Sequence, residues 1–183
     1  MIECSQCTVH VFLTCCCSVC NVFIFEFSQR MRCALNLTER LIGMSKIAVV
    51  YWSGTGNTEA MANAAAEGAR EKGAEAELVA ASAFKAGDVA NYDAIAFGCP
   101  AMGAEVLEES EFQPMWDDVK PALSGKKIAL FGSYGWGDGE WIRSWNDDAV
   151  AAGAVIAADF VMANDAPDDD AVAACKALGA ALV

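Results

Sequence analysis

Lys46-Ile47-Ala48-Val49-Val50-Tyr51-Trp52-Ser53-Gly54-Thr55-Gly56-Asn57-Thr58-Glu59 is the stretch whose reading decides the fold. It opens on an apolar run in which β-branched residues recur, breaks at a turn carrying two glycines, and continues into helix-forming sequence. A buried strand, a tight turn and a helix N-terminus in that order gather backbone N–H groups and the positive end of a helix dipole at the turn, where phosphate binds. Gly54 and Gly56 can take backbone angles closed to other residues, and Ser53, Thr55, Asn57 and Thr58 add side-chain donors. The loop has no Lys or Arg, which argues against a Walker A triphosphatase. Glu59 stands where a dinucleotide fingerprint needs its third glycine. A terminal monophosphate held by neutral donors is left, beside the plainer reading of a Ser/Thr helix cap.

Working outward, further apolar runs at 77–80, 94–99, 127–132 and 155–162 read as buried strands, and the first strand spans 46–51. Helical spacing predicts helices over 58–72, 112–123, 140–152 and 169–182. Gly73 and Gly153 close two of these helices, and Pro167-Asp168 opens the last. Alternating strands and helices imply an α/β domain with a parallel sheet covered on both faces. Ligands then gather at the carboxyl ends of the strands, so the loops after strands one, three and four are the ones to inspect.

The chain has 183 residues, enough for one ordinary domain with a short appendage and too few for two large ones. Its 55% apolar content excludes wholesale disorder. Lys plus Arg total 12 against 25 Asp plus Glu, a net charge of −13 that works against binding nucleic acid or an anionic membrane. Residues 1–43 contribute none of it, since Arg30, Arg32 and Arg40 balance Glu3, Glu26 and Glu39. Seven of the nine cysteines lie before residue 34, leaving Cys99 and Cys175 for the rest. This leader lacks the basic start and small-residue cleavage site of a secretory signal. As a membrane span, residues 9–28 are interrupted by His10, Asn21 and Glu26. As a metal site, Cys4, Cys7, Cys17 and Cys20 have the local spacing but no Gly or Pro knuckles. It is therefore read as a non-functional or untranslated leader, with the domain beginning at Met44 and no metal site expected.

Two side chains on the later loops point to a flat ligand. Met102 stands beside Gly103 after strand three, and Trp136 stands between Gly135 and Gly137 after strand four. A thioether and an indole on facing loops can sandwich a planar aromatic ring. Trp116, Trp141 and Trp145 fit helix faces and read as core, the ordinary alternative for Trp136 too. Cys99 has no basic neighbour in sequence to activate it and reads as a buried filler.

The loop at 52–59 resembles the phosphate loop of flavodoxins. Cys99-Pro100-Ala101-Met102-Gly103 and Gly132-Ser133-Tyr134-Gly135-Trp136-Gly137-Asp138-Gly139 resemble the family's two flavin-flanking loops, at matching distances. The resemblance runs from about Met44 to the C-terminus and is closest to the short-chain group. It implies a doubly wound five-stranded parallel sheet of order 2-1-3-4-5 and bound FMN. It also implies that Ser53 to Thr58 hold the phosphate, that Trp52 belongs to the cofactor site and that Met102 and Trp136 face the ring. Pro100, Ala101, Gly103, Ala104, Ser133, Tyr134, Gly135 and Gly137 would line the ring edges, with Asp165 nearby.

The implied function is that of a low-potential one-electron carrier with no catalytic residues, using the semiquinone/hydroquinone couple between redox enzymes. In the family, the peptide at Gly103-Ala104 turns over on one-electron reduction, and Ala104 replaces the polar residue that relatives often carry. The acidic stretch Glu105, Glu108, Glu109, Glu111, Asp117 and Asp118 reads either as solvated helix surface or as a field steering toward basic patches on partner proteins. A cytoplasmic monomer is expected. Two other functions share the fold. An FMN-dependent NAD(P)H quinone or flavin reductase needs open space above the ring, and no His follows His10 to donate a proton. A receiver-type signalling domain needs an acidic cluster at strand ends, where this chain has Tyr51-Trp52-Ser53 and Cys99-Pro100.

Overall fold

The computed structural model describes residues 44–183. Residues 1–43, and with them the readings of the Cys-rich leader, lie outside the described residues. The elements run β1 (Lys46–Tyr51), α1 (Asn57–Glu71), β2 (Glu75–Ala80), β3 (Ala94–Gly98), α2 (Phe112–Val119), β4 (Lys127–Tyr134), α3 (Glu140–Ala151), β5 (Val155–Ile156), β6 (Val161–Asn164) and α4 (Asp169–Ala181). Two short 3-10 turns, Ala81–Ala83 and Ala86–Asn91, make the connection from β2 to β3, and α2 ends in a third at Lys120–Ala122. Pro121 lies in that last turn, where its missing N–H stops the α-helix.

All strand pairs are parallel, in the order β2-β1-β3-β4-β5, with β6 also on β4. The expected five-position sheet is present, but its last strand is divided. Val155 and Ile156 pair with Lys127 and Ile128, and pairing resumes with Val161 on Phe131. Residues 157–160 thus stand opposite only 129 and 130, a wide bulge rather than continuous strand. Phe160 within it packs against one face of the sheet and Val161 against the other.

Side-chain alternation sorts the strands into two unlike faces. Ala48, Val50, Ile95, Phe97, Ile128 and Leu130 point toward α2 and α3, where Phe112, Trp116, Trp141 and Trp145 fill the core. Ile47, Val49, Ala94, Ala96, Ala129 and Phe131 point toward α1 and α4. The second face is mostly small, so α1 brings Ala62, Ala65, Ala66 and Ala69 down onto it. Gly68 and Gly179 then let α1 and α4 touch backbone to side: a Cβ at Gly68 would lie 2.0 Å from the Lys176 carbonyl oxygen, and one at Gly179 1.9 Å from that of Ala65. The three tryptophans read as core are buried as expected. Strand order reverses between β1 and β3, and the loops after β1, β3, β4 and β6 meet at that end.

Candidate functional site

The loop after β1 is built around an uncapped helix. Gly56 precedes α1 with φ 91°, a left-handed angle that suits glycine, and no side chain caps the helix. Ser53 Oγ accepts from the Gly56 N–H at 3.0 Å, which curls the loop instead of closing the helix end. The simple Ser/Thr cap is therefore not what these residues make. The first-turn N–H groups are left facing outward with the positive end of the dipole. Thr58 differs from its loop neighbours: it is 1% exposed, and its hydroxyl pairs with that of Ser133 at 3.1 Å, tying the first loop to the end of β4.

A cleft of about 260 Å³ opens beside this loop. Its walls are Trp52, Gly54, Thr55 and Asn57 from the first loop, Pro100, Ala101 and Met102 from the second, Ser133, Tyr134 and Gly135 from the third, and Asp165 after β6. Each was singled out from sequence, and the fold brings them together from four separated segments. Main-chain bonds fix their spacing: the Ala101 N–H donates to Ser133 O at 2.9 Å, and the Asp165 N–H to Tyr134 O at 2.7 Å.

Met102 forms an exposed edge of the cleft wall, and the remaining sequence candidates stand around the cleft rather than in its walls. Trp136 is 59% exposed and Met102 37% exposed, large apolar groups left on the surface by the loops that carry them. Gly103 and Ala104 form the tip of a tight hairpin in which Met102 and Val106 exchange both main-chain hydrogen bonds, at 2.8 and 2.9 Å. Gly103 has φ 47°. Ser53, Gly56, Thr58 and Gly137 shape the loops from behind. Cys99 is fully buried, and burial pushes its thiol well above the ordinary range. Its carbonyl accepts from Trp141 Nε1 at 3.2 Å.

The structural roles of two carboxylates escaped the sequence reading, which placed both in an acidic stretch read either as solvated surface or as a steering field. Glu105 adopts φ 53°, and its Oε1 accepts from the N–H groups of Gly139 at 2.9 Å and Glu140 at 3.1 Å. It caps α3 from a loop 34 residues away. Glu108 is 6% exposed and accepts from the N–H groups of Ser110, Glu111 and Phe112 at 2.8, 2.8 and 2.9 Å. Burial would raise its carboxyl, but these N–H groups outweigh that and hold it below the ordinary range. Glutamate four residues before the first residue of a helix is not a usual cap, so local rules give no signal for it. Asp118 accepts from the Ala86 N–H at 2.9 Å, which leaves Glu109, Glu111 and Asp117 as the more freely exposed acids of that stretch.

The flavodoxin family model matches residues 49–178. The chain belongs to the flavodoxin family. It is 46% identical over 135 residues to the flavodoxin of Megasphaera elsdenii, covering 74% of this chain and 96% of that one. It is 45% identical over 121 residues to that of Clostridium beijerinckii, covering 66% of this chain and 88% of the relative. The solution structure of two-electron reduced Megasphaera elsdenii flavodoxin superposes with a TM-score of 0.69 over 74% of this chain and 97% of that one. This flavodoxin is an FMN-binding electron carrier rather than an enzyme, and electrons pass from it to redox protein partners. The cleft suits the cofactor: it joins an uncapped helix terminus with neutral donors, of the kind that can receive a phosphate, to a slot walled by Trp52, Met102 and Tyr134 that is open to a flat ring. Among the described residues no helix is long and apolar enough to cross a membrane, and no cluster of His, Cys, Asp and Glu is placed to hold a metal.

Proposed function

We propose that Ser53 to Thr58 hold the FMN phosphate, chiefly through the free N–H groups at the start of α1. Met102 and Trp136 flank the ring, with Trp52, Pro100, Ala101, Gly103, Ala104, Ser133, Tyr134, Gly135, Gly137 and Asp165 around it. The observation that carries this reading is that the uncapped N-terminus of α1 and the aromatic-walled slot open on one cleft. FMN supplies one-electron chemistry at two successive potentials. The protein sets the lower of these far down. Added negative charge in the cleft meets Met102 and the indoles rather than a cation, beside a phosphate, on a body of net charge −13. Each 1.4 kcal/mol of such penalty lowers a one-electron potential by about 59 mV. The working couple is then the low one.

The exposed acids near the cleft steer basic patches of partner proteins toward it, so that encounter is fast at low salt. The functional unit is the segment from Met44, acting as a cytoplasmic monomer; expressed without residues 1–43 it should bind FMN as tightly as the full chain. Titration with FMN and with riboflavin, followed by loss of flavin fluorescence, tests the site. Riboflavin has the ring without the phosphate and should bind at least about a hundredfold more weakly, the worth of a few charge-assisted hydrogen bonds. Equal affinities would remove the phosphate site.

A further inference from the structure

The loop that carries Trp136 is approached at its glycines by side chains from three other segments. A Cβ on Gly135 would lie 3.4 Å from Asp165 Oδ1, one on Gly137 2.3 Å from the Glu105 carboxyl carbon, and one on Gly139 2.8 Å from Met162 Sδ. Two of these neighbours are carboxylates; the third is a thioether. Val161 and Ala163 pack toward α1 and α4, so Met162 between them points to the opposite face of the sheet, where α3 begins. Arg143 stands against the same glycine, its Nη1 3.4 Å from the position of that Cβ. Its guanidinium braces the end of the loop. Nη1 donates to the Asp138 carbonyl at 2.8 Å, and Nη2 donates to Asp138 Oδ1 at 2.8 Å and to Glu140 Oε2 at 3.0 Å.

Of the five methionines among the described residues, Met61 and Met115 are buried, while Met44, Met102 and Met162 are exposed. Met44 precedes β1, at the end of the sheet away from the cleft. Met102 lines the cleft, and FMN in the cleft covers it. Met162 is thus the thioether that stays open to solvent beside a flavin-flanking loop in the loaded protein, with 40% of its surface exposed.

We propose that Met162 is an oxidation site through which hydrogen peroxide loosens the Trp136 loop, an inference that rests on the placing of Trp136 beside the ring. The sulfur lone pair attacks one peroxide oxygen. An S–O bond forms, the O–O bond breaks, and the second oxygen leaves as water with both protons. Sulfur gives up two electrons and the peroxide takes them. The thioether is a weak acceptor, whereas the sulfoxide oxygen is strongly polar. The Gly139 N–H is already given to Glu105, so the donor standing at this glycine for the new oxygen is Arg143. The sulfoxide draws Nη1 away from the Asp138 carbonyl and frees the end of the loop two residues beyond Trp136. Reductases return the sulfoxide to the thioether, so the change is a reversible switch.

The test treats the FMN-loaded full chain with hydrogen peroxide, locates the added oxygen by peptide mass spectrometry, and follows the loop by hydrogen exchange and the cofactor by flavin fluorescence. Met162 should be oxidised ahead of Met61, Met102 and Met115. Exchange at the Gly137 and Gly139 amides should then accelerate, and FMN release should quicken about fivefold, the worth of one ordinary hydrogen bond. The two stereospecific methionine sulfoxide reductases should reverse both effects. Met162→Gln, which carries an amide oxygen near the place of the sulfoxide oxygen, should release FMN faster without peroxide. Met162→Leu, close in volume, should keep its resting rate under peroxide. Unchanged exchange with Met162 fully oxidised would overturn the proposal, and so would a response in Met162→Leu equal to that of the wild type. Faster exchange with FMN release unaltered would support the oxidation site and overturn the placing of Trp136 beside the ring.

Discussion

The Glu105 carboxylate accepts the Gly139 amide hydrogen at 2.9 Å and so fastens the hairpin after β3 to the loop after β4. These are the two loops that carry Met102 and Trp136. The fastening is close: a Cβ on Gly137 would lie 2.3 Å from the Glu105 carboxyl carbon. Glu105 also supplies a negative end group to the start of α3, where the helix dipole favours it. A side chain that is not itself on either wall of the cleft thus adds to the main-chain bond from Ala101 to Ser133 in holding these two loops together.

Removing that fastening should loosen both loops. Glu105→Ala is expected to weaken FMN binding by about tenfold, equivalent to one lost charge-assisted hydrogen-bond pair. Hydrogen exchange at the Gly139 and Glu140 amides should accelerate with it. Glu105→Gln keeps a neutral acceptor and should fall between. Unchanged exchange at Gly139 in the alanine variant would show that the contact holds nothing in place.

Gly103 bears on the potentials rather than on affinity. Its φ of 47° and its place at a three-residue hairpin tip allow the following peptide to turn, and a Cβ there would meet only Val106, at 3.9 Å. Gly103→Ala is therefore sterically tolerated but strained in the left-handed region by about 1–2 kcal/mol. Spectroelectrochemical titration should find the two one-electron potentials of bound FMN drawn together by about 60 mV or more. An unaltered separation would deny that this peptide takes part.

Glu108 gives a pH-dependent prediction. Because its folded pKa lies below the ordinary carboxyl value, its stabilisation is complete above the unfolded value of about 4.3 and is lost as pH falls through the folded pKa. Glu108→Gln should cost about 1–3 kcal/mol at pH 7, as for other buried capping interactions. The gap between wild type and variant should close in acid. Denaturant melts at pH 7 and pH 3 measure it, and a gap independent of pH would place the charge elsewhere.

Gly68 and Gly179 make opposite demands on propensity and packing. Replacing a mid-helix glycine by alanine ordinarily gains up to about 1 kcal/mol. Here the added methyl would enter a main-chain carbonyl of the facing helix. Each substitution should therefore destabilise by about 3 kcal/mol, lowering Tm by roughly 10 °C for a domain of this size. A raised Tm would show that α1 and α4 can move apart without loss.

The apolar run ending at Tyr51, the lysine-free loop that follows, and the paired glycines around Trp136 pointed to an α/β sheet and to the loops that form the cleft, while the strand order came only with the resemblance to flavodoxins. They act locally, through strand periodicity and turn chemistry, and such signals survive in a linear text. The division of the last strand was not legible, because residues 155–162 read as one apolar run and only pairing with β4 reveals four residues opposing two. Nor were the tasks of Glu105 and Glu108, since a carboxylate in an acidic stretch looks solvated until the chain returns beside it. The tertiary structure alone decided which of those acids bind backbone amides and which face solvent, and that two glycines are helix-packing sites. Those outcomes depend on distances between residues far apart in sequence, which composition and spacing do not encode.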